Sequence, residues 1–468
     1  MIESLYKLYL QHPSITTDSR KVDAGQIFFA FKGEHFDGNQ YATEVLQKGA
    51  SVAVIDDASV IPAEVRTGAE GVQGGYFLVP DVLTALQQLS AYHRQQFKTW
   101  EKPVSVIGIT GTNGKTTTKE LLNAVLSQKY NVLATAGNLN NQIGVPLTLL
   151  KVTQQHEIAI VEMGANHPMD IADLCEISRP DFGLITNVGK AHLLGFGSLE
   201  GVVEAKTKLY DSLRLTGGKV FVDAGNPYLL PKAEGLDRIM YSDADICKDG
   251  VVVGRFLSCS PYLSMELTFA GTAITLDTHL IGNYNLINIV AAATVGNTFG
   301  VTPAQVKTAI EGYMPKNMRS QLIDLEMGRQ IILDAYNANP TSMMAALQSF
   351  NRNTAQHKSL VLGDMGELGE ESAREHLNIM HYLMQEEVTF GDILLVGKEF
   401  CKAFDSLTDD EVMQLSKHRS IHCYADITAL TTPDVTGNMA LTSLPGTILI
   451  KGSRSMQLEK ALKAFGIQ

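Results

Sequence analysis

The chain has 468 residues, 45% apolar and 19% charged, which suggests about three globular domains at the usual ~100–200 residues each. A formal net charge of −12 argues against broad nucleic-acid or anionic-membrane binding, since both need a basic surface, but leaves room for an anionic small ligand at a locally positive site. Five cysteines (Cys175, Cys247, Cys259, Cys401, Cys423) with no CxxC pair suggest neither a zinc knuckle nor a disulfide framework, and no apolar run reaches the ~18 residues of a membrane span.

Residues 1–98 alternate short apolar runs, Gln26–Phe31, Ser51–Ile55 and Tyr76–Val79, with helical stretches such as Val82–Gln95. This reads as a small N-terminal α/β domain. Thr99–Pro103 reads as a linker. The second block, residues 99–312, opens on a strand Val104–Thr110, followed by a Gly-rich turn and a helix Thr116–Gln128. Further apolar or β-branched runs come at Glu157–Met163, Phe182–Val188 and Val220–Val222. Strands alternating with helices imply right-handed crossovers and a mostly parallel sheet. Between Val251 and Leu280 the pattern becomes hairpin-like, suggesting a small antiparallel patch. Helices Leu286–Phe299 and Pro303–Gly312 close the block. The third block, residues 313–468, alternates helices with strands at Gln330–Leu333, Ser359–Leu362, Ile393–Val396, Ile421–Tyr424 and Thr447–Ile450. It predicts a second open, Rossmann-like α/β sheet. The N-terminus lacks the pattern of a signal peptide, so the cytoplasm is the expected compartment, and a monomer is expected.

The strongest chemical signal is Gly111-Thr112-Asn113-Gly114-Lys115-Thr116, set between a buried strand and a helix. Glycines let backbone N–H groups turn inward around phosphate oxygens, and the helix N-terminus favours an anion. Lys115 would reach the β- and γ-phosphates, and the Thr116 hydroxyl would hold Mg²⁺. The position six before Lys115 is Ile109 rather than Gly, so the loop is not a strict Walker A. A Gly-rich turn with an incidental lysine is the competing reading. Glu162 closes the strand Ile158–Glu162 at the end where ligands bind in open α/β sheets, and could bind Mg²⁺ directly. His192 follows the strand ending Thr186-Asn187-Val188-Gly189 and could bind a metal or a phosphate. Taken alone, such a histidine is more often structural.

These residues resemble the Mur ligases. The loop GTNGKTT, the run Thr135–Pro146, the Glu162-Met-Gly turn, Asn187-Val-Gly-Lys-Ala-His192 and Ala205-Lys206-Thr-Lys-Leu-Tyr210 follow in that family's order. The resemblance implies that Lys206 is carbamylated, turning a cation into a carboxylate-like Mg²⁺ ligand. Without it, a surface lysine would be the favoured reading. Asp18-Ser19-Arg20 with Gly25–Gly33 and Asp37-Gly38 looks like the family's UDP-sugar-binding domain, and implies that Ser19 and Arg20 touch that substrate. Gly282-Asn-Tyr-Asn285-Leu-Ile-Asn288 looks like its adenine-side motif, so Asn285 and Asn288 join Gly111, Thr112, Asn113, Gly114, Lys115, Thr116 and Thr117 as expected ATP contacts. Arg319, Asp334 and Lys451-Gly-Ser-Arg454 fall where the C-terminal domain faces the nucleotide.

Leu333–Met343 and Gly363-Asp-Met-Gly-Glu-Leu-Gly369 resemble the branch of the family that adds D-Ala-D-Ala to UDP-N-acetylmuramoyl-tripeptide. Asn138, Asn140, Asn141, Asn337 and Asn339 are expected on the substrate side. Two positions depart from the family pattern. Tyr284 stands where His is usual beside the adenine, and Phe221-Val-Asp223-Ala-Gly-Asn226 replaces an Asn-x-Asp-Asp-like turn. The implied chemistry is transfer of the ATP γ-phosphoryl to a carboxylate, then attack by an amine on the acyl phosphate. It asks the protein for positioning and charge neutralisation rather than a nucleophile. Lys115, Glu162, His192 and Lys206 are the expected catalytic set, with Thr116, Glu162, His192 and Lys206 on Mg²⁺. Other amino-acid-adding Mur ligases and folate polyglutamate-type ligases share this chemistry. A P-loop nucleotide switch and a non-catalytic UDP-sugar-binding protein are the readings of other classes.

Overall fold

A computed structural model of the chain describes all residues except 66–71, 248, 316–317, 418, 434–438 and 468. Three α/β units follow one another. Among the described residues a five-stranded sheet lies within 15–78, a nine-stranded sheet within 105–281 and a six-stranded sheet within 321–451. No described helix is long and apolar enough to cross a membrane.

The strand Ser105–Thr110 sits inside the largest sheet, flanked in parallel by Ile158–Glu162 and Phe182–Ile185. It is apolar almost throughout because helices cover both faces, as parallel sheets require. Leu121, Leu122 and Val125 of the helix Lys115–Leu126 pack on one face with Ile289 and Val290. Leu174, Leu209 and Leu213 pack on the other. The strands Val252–Cys259 and Thr272–Ile281 each pair antiparallel with Tyr262–Phe269. They form the expected antiparallel patch, and because Val252 pairs with Tyr241 it extends the central sheet. The helix Pro303–Glu311 follows, started by Thr302 and Gln305 in a reciprocal capping box with Pro at its first position, a strong helix-start signal.

In the C-terminal unit the strand Gln330–Asp334 runs parallel to Thr447–Lys451, which is parallel to Lys358–Gly363. The strand Gln321–Asp324 is antiparallel at the edge. The parallel strands share one direction, and the C-terminal ends of Gln330–Asp334 and Thr447–Lys451 face the central unit's phosphate loop across a cleft.

The N-terminal unit is bolted to the central one. Arg94, buried near the end of the helix Val82–Gln96, donates from Nε to the Ser178 carbonyl at 2.8 Å. Its Nη2 reaches the Arg179 carbonyl at 2.7 Å and Asp181 Oδ2 at 2.8 Å. The same Asp181 oxygen accepts from Val106 N–H in the central strand. A buried charge paired and hydrogen-bonded this fully fixes geometry, and removing one partner would be costly.

Candidate active site

The phosphate loop is held open by its neighbours. Gly111 has φ +146°, and a Cβ there would stand 1.9 Å from Thr186 Oγ1. Gly114 has φ +76°, and a Cβ would meet Asn288 Oδ1 at 2.8 Å. Both positions demand glycine. Asn187 clamps the turn from below: its Oδ1 accepts from Asn113 N–H at 2.9 Å, and its Nδ2 donates to the Asn113 carbonyl at 3.0 Å. Thr112 adds a hydroxyl contact to the backbone of Gly189. Lys115 Nζ lies over the loop, donating to the carbonyls of Gly111 (2.7 Å) and Thr112 (3.2 Å). Burial lowers the Lys115 pKa, with the Glu162 charge opposing and Arg319 reinforcing the shift.

Glu162, 1% exposed, ends its strand beside the first turn of the helix Lys115–Leu126. Its Oε1 accepts from Thr116 Oγ1 at 3.2 Å and from Asn140 Nδ2 at 2.8 Å. Its Oε2 is buried with no hydrogen-bond partner, although the fully buried Lys119 ammonium lies 3.8 Å away. Lys119 also donates to the carbonyls of Thr135 (2.7 Å) and Gly137 (3.1 Å). An orphaned carboxylate oxygen beside a hydroxyl suits Mg²⁺, which is commonly held by one or two carboxylates plus substrate phosphates. No group of three or more His, Cys, Asp or Glu among the described residues could hold a metal unaided, consistent with a site completed by a ligand.

A cleft of about 580 Å³ opens over the loop between the central and C-terminal units. The loop residues Thr112 to Thr117, with Asn138, Asn140, Asn141, Glu162 and His192, line the central side. Asn285 and Asn288 line the floor near Tyr284, whose hydroxyl meets Ser320 Oγ at 2.8 Å. Arg319, Asp334 and Asn337 line the C-terminal side. The Arg319 guanidinium stacks 3.8 Å from the Tyr336 ring centroid, and its Nε is buried without a partner. Asp334 is engaged by buried Lys451.

Other expected residues stand apart. Gly111 is under the loop rather than in the cleft. Asn339 caps the helix Pro340–Asn351 through Ser342 N–H, and its Nδ2 donates to Asn113 Oδ1 at 2.8 Å. Both ends of its amide are therefore engaged, and it links the phosphate loop to the C-terminal unit. Lys206 sits 1% exposed behind the cleft wall, 5.7 Å from the Phe196 ring centroid, with no hydrogen bond or ion pair among the described residues. Burial first, then the Lys115 charge, hold its pKa well below the ordinary lysine range, opposed by Asp170. Ser19 and Arg20 line a separate hollow with Phe36 and Tyr41, whose rings stack at 5.3 Å. There Arg20 forks onto Asp18, whose pKa is pulled down to about 2 by the hydrogen bonds from Arg20.

Sequence reasoning did not single out Asn187, Lys119, Asp170 or Tyr336. Lys119 had a readable signal: it is four residues after Lys115, hence on the same helix face. Tyr336 had none, because only the fold brings it under Arg319.

Three family models match the chain: "Mur ligase family, catalytic domain" over residues 13–94, "Mur ligase middle domain" over 109–296 and "Mur ligase, glutamate ligase domain" over 318–454. A Bacillus subtilis protein named UDP-N-acetylmuramoyl-tripeptide–D-alanyl-D-alanine ligase is 32% identical over 465 residues, covering 96% of this chain and 92% of the relative. A crystal structure of MurF from Acinetobacter baumannii superposes with a TM-score of 0.83 at 28% identity, covering 99% of this chain and 98% of that one. MurF from Thermotoga maritima in complex with ADP superposes with a TM-score of 0.77 at 25% identity, covering 97% of each chain.

Proposed function

Since the chain belongs to the Mur ligase family, we propose that it is the ATP-dependent ligase that joins D-alanyl-D-alanine to UDP-N-acetylmuramoyl-tripeptide, in the making of a peptidoglycan precursor. The observation that carries this reading is the near-full-length likeness to a relative named for that reaction. The cleft supports it, because its phosphate loop faces a C-terminal wall carrying Arg319 and Asn337.

The chemistry balances without a protein nucleophile. A substrate carboxylate oxygen bonds to the γ-phosphorus while the bond to the β-bridging oxygen breaks, releasing ADP. The amine then attacks the acyl carbon, phosphate leaves from the tetrahedral intermediate, and the amine's surplus proton goes to the departing phosphate or to solvent. Two anions must approach each other for the first step. Lys115, with Arg319 from the opposite wall, offsets that repulsion at the phosphates. Thr116 and Glu162 would hold one Mg²⁺, and His192 with Lys206 a second. When bound, Mg²⁺ supplies further charge neutralisation at the transferring phosphoryl group.

Lys206 fits this role only as its carbamate, because an ammonium would repel a cation. Carbamylation needs the neutral amine, which burial beside Lys115 favours. Asn138, Asn140, Asn141 and Asn337 are assigned to the peptide substrates, Asn285, Asn288 and Asp334 to the nucleotide side, and Ser19 and Arg20 to the UDP end. Asn339 acts by holding Asn113. The 1–98 unit thus takes the UDP-sugar, the 99–312 unit ATP, and the 313–468 unit D-Ala-D-Ala while closing over ATP. Closure keeps water from the acyl phosphate.

The test is a product assay with ATP, D-Ala-D-Ala and tripeptides differing in the third residue. Amide product with one ADP and one phosphate per turnover is expected. Turnover with a free amino acid in place of the dipeptide would move the chain to another branch. Phosphate release independent of both carboxylate and amine would make it a nucleotide switch.

A further inference from the structure

His192 belongs to the central unit and Glu367 to the C-terminal one, yet their side chains meet as His192 Nδ1 on Glu367 Oε2. Both residues also carry left-handed backbones. His192 has φ 51° and ψ 36°, and Glu367 has φ 61°. Among the described residues seven non-glycine positions do so, and two of them are the partners in this one contact. Such conformations persist only where the surroundings over-determine them, and they cluster at working sites.

The surroundings do over-determine them. On the central side, the His192 carbonyl accepts from Gly195 and Phe196 N–H at 2.9 and 3.1 Å. On the C-terminal side the Gly363–Gly369 turn is tied down at several points. The Asp364 carboxylate accepts from Glu399 and Phe400 N–H at 3.0 and 2.9 Å, starting the helix Lys398–Asp405. Met365 N–H donates to Nε2 of buried His376 at 3.0 Å. The Glu367 carbonyl itself accepts from Leu194 N–H at 3.4 Å, across the interface.

We propose that Glu367 is a positioning residue for His192: its carboxylate accepts a hydrogen bond from Nδ1–H, fixes the ring and its tautomer, and leaves Nε2 as the free acceptor at the cleft, but only while the C-terminal unit is seated on the central one. A carboxylate that receives the second nitrogen of a working histidine is a recurrent way to set ring orientation and basicity. Energy alone does not account for the pair. The Glu367 side chain is 59% exposed, and an ion pair that open contributes little. What two strained backbones retain is geometry. The inference rests on the role given to His192 above. It makes assembly of the reacting site conditional on closure, because half of the His192 setting is brought by the other unit.

The experiment uses the full chain. ¹⁵N-histidine spectra of the protein alone read the His192 tautomer, assigned with His192→Gln. The wild type is expected to show a protonated Nδ1 and an unprotonated Nε2, with Glu367→Ala shifting the signal toward a tautomer mixture. In turnover, Glu367→Ala should lower kcat about 10–100-fold, the usual effect of losing such a partner. The KM values for ATP and D-Ala-D-Ala should stay within about twofold, an order-of-magnitude expectation for a residue that touches neither substrate. Glu367→Gln, whose amide oxygen still accepts from Nδ1–H, should recover most of kcat. Lys190→Met breaks the neighbouring interface pair, Lys190 Nζ to Glu375 Oε1 at 2.7 Å, and should leave the His192 signal unmoved.

An unchanged tautomer in Glu367→Ala overturns the proposal, as does an equal kcat loss in Lys190→Met or a change confined to KM. Failure of the functional reading would appear separately, as wild-type protein with the expected His192 signal but no amide product.

Discussion

Replacing Lys119 by Met tests whether a buried ammonium organises the carboxylate end of the site. Met nearly matches the length of the side chain and removes its charge and donors. Three things are lost together: the donations to the Thr135 and Gly137 carbonyls, the 3.8 Å approach to Glu162 Oε2 and the 3.0 Å contact with Glu120. The Glu120 contact counts for little, since that carboxylate is 38% exposed. Glu162 is 1% exposed, and losing one partner of a buried pair costs about 3–5 kcal/mol. The two carbonyls each add ~1–3 kcal/mol if left unpaired, but local water and rotation of the Thr135–Gly137 turn would satisfy part of that. About 3–5 kcal/mol in total is therefore the working figure, and at ~2–4 °C per kcal/mol for a unit of about 200 residues it lowers the central unit's transition by roughly 6–20 °C. Calorimetry with and without Mg-nucleotide reads this directly. The same turn carries Asn138, Asn140 and Asn141 into the cleft, so kcat should fall with it. A transition within about 2 °C of wild type, together with normal turnover, would show that the ammonium organises neither Glu162 nor the turn.

Lys115→Ala should lower amide formation on the order of 10²–10³-fold or more with a native thermal transition; near-normal turnover would remove Lys115 from the phosphates. Lys206→Ala should be nearly inactive and partly restored by bicarbonate or a short carboxylic acid, whereas wild-type rates would make Lys206 a structural lysine. The same residue gives a pH test. With its folded pKa held below the unfolded value of ~10.4, the unfolded chain binds the extra proton between the two, so CO₂-free protein gains stability as pH rises through that window and loses it as pH falls. Lys206→Met should flatten that slope in chemical denaturation series at several pH values, and an unchanged slope would assign it elsewhere. Ser19→Ala or Arg20→Ala should weaken the UDP-linked substrate in titration calorimetry and spare ATP; equal weakening of both would place that hollow outside substrate binding.

The phosphate loop was legible because its requirements are local: glycines where no Cβ fits, a lysine at the head of a helix, an apolar strand before it. The strands Ser105–Thr110 and Lys358–Gly363 were legible as continuous apolar runs, the signature of strands covered on both faces. Several short or polar strands leave little signal, Val132–Ala134, Gln321–Asp324 and Asp237–Asp243 among them. Val132–Ala134 has three residues, Gln321–Asp324 is a half-buried edge, and Asp237–Asp243 is polar at both ends. None combines length with the clean alternation that distinguishes a strand from a loop. The antiparallel patch was legible, but its attachment to the central sheet by pairing of Tyr241 with Val252 leaves no trace in periodicity. The contacts across the cleft were invisible for the same reason. Asn113 meets Asn339 over 226 positions, and the partner of His192 depends on how two units dock rather than on any spacing.

The Arg94 bolt has a consequence for what the protein can measure. The Arg20 hollow and the phosphate loop belong to two units joined by Arg94 together with Tyr9 on the Leu150 carbonyl, His93 on Val152 and Gln87 on Gln142, a joint that resists any change in their separation. On the proposed assignment of the hollow to the UDP end, a substrate gripped there would present its far carboxylate at a set reach from Lys115. Peptides one residue short or long would bind at one end and miss at the other. On that assignment the joint between the first two units would work as a ruler, reading chain length where the cleft reads only the chemistry of the tip.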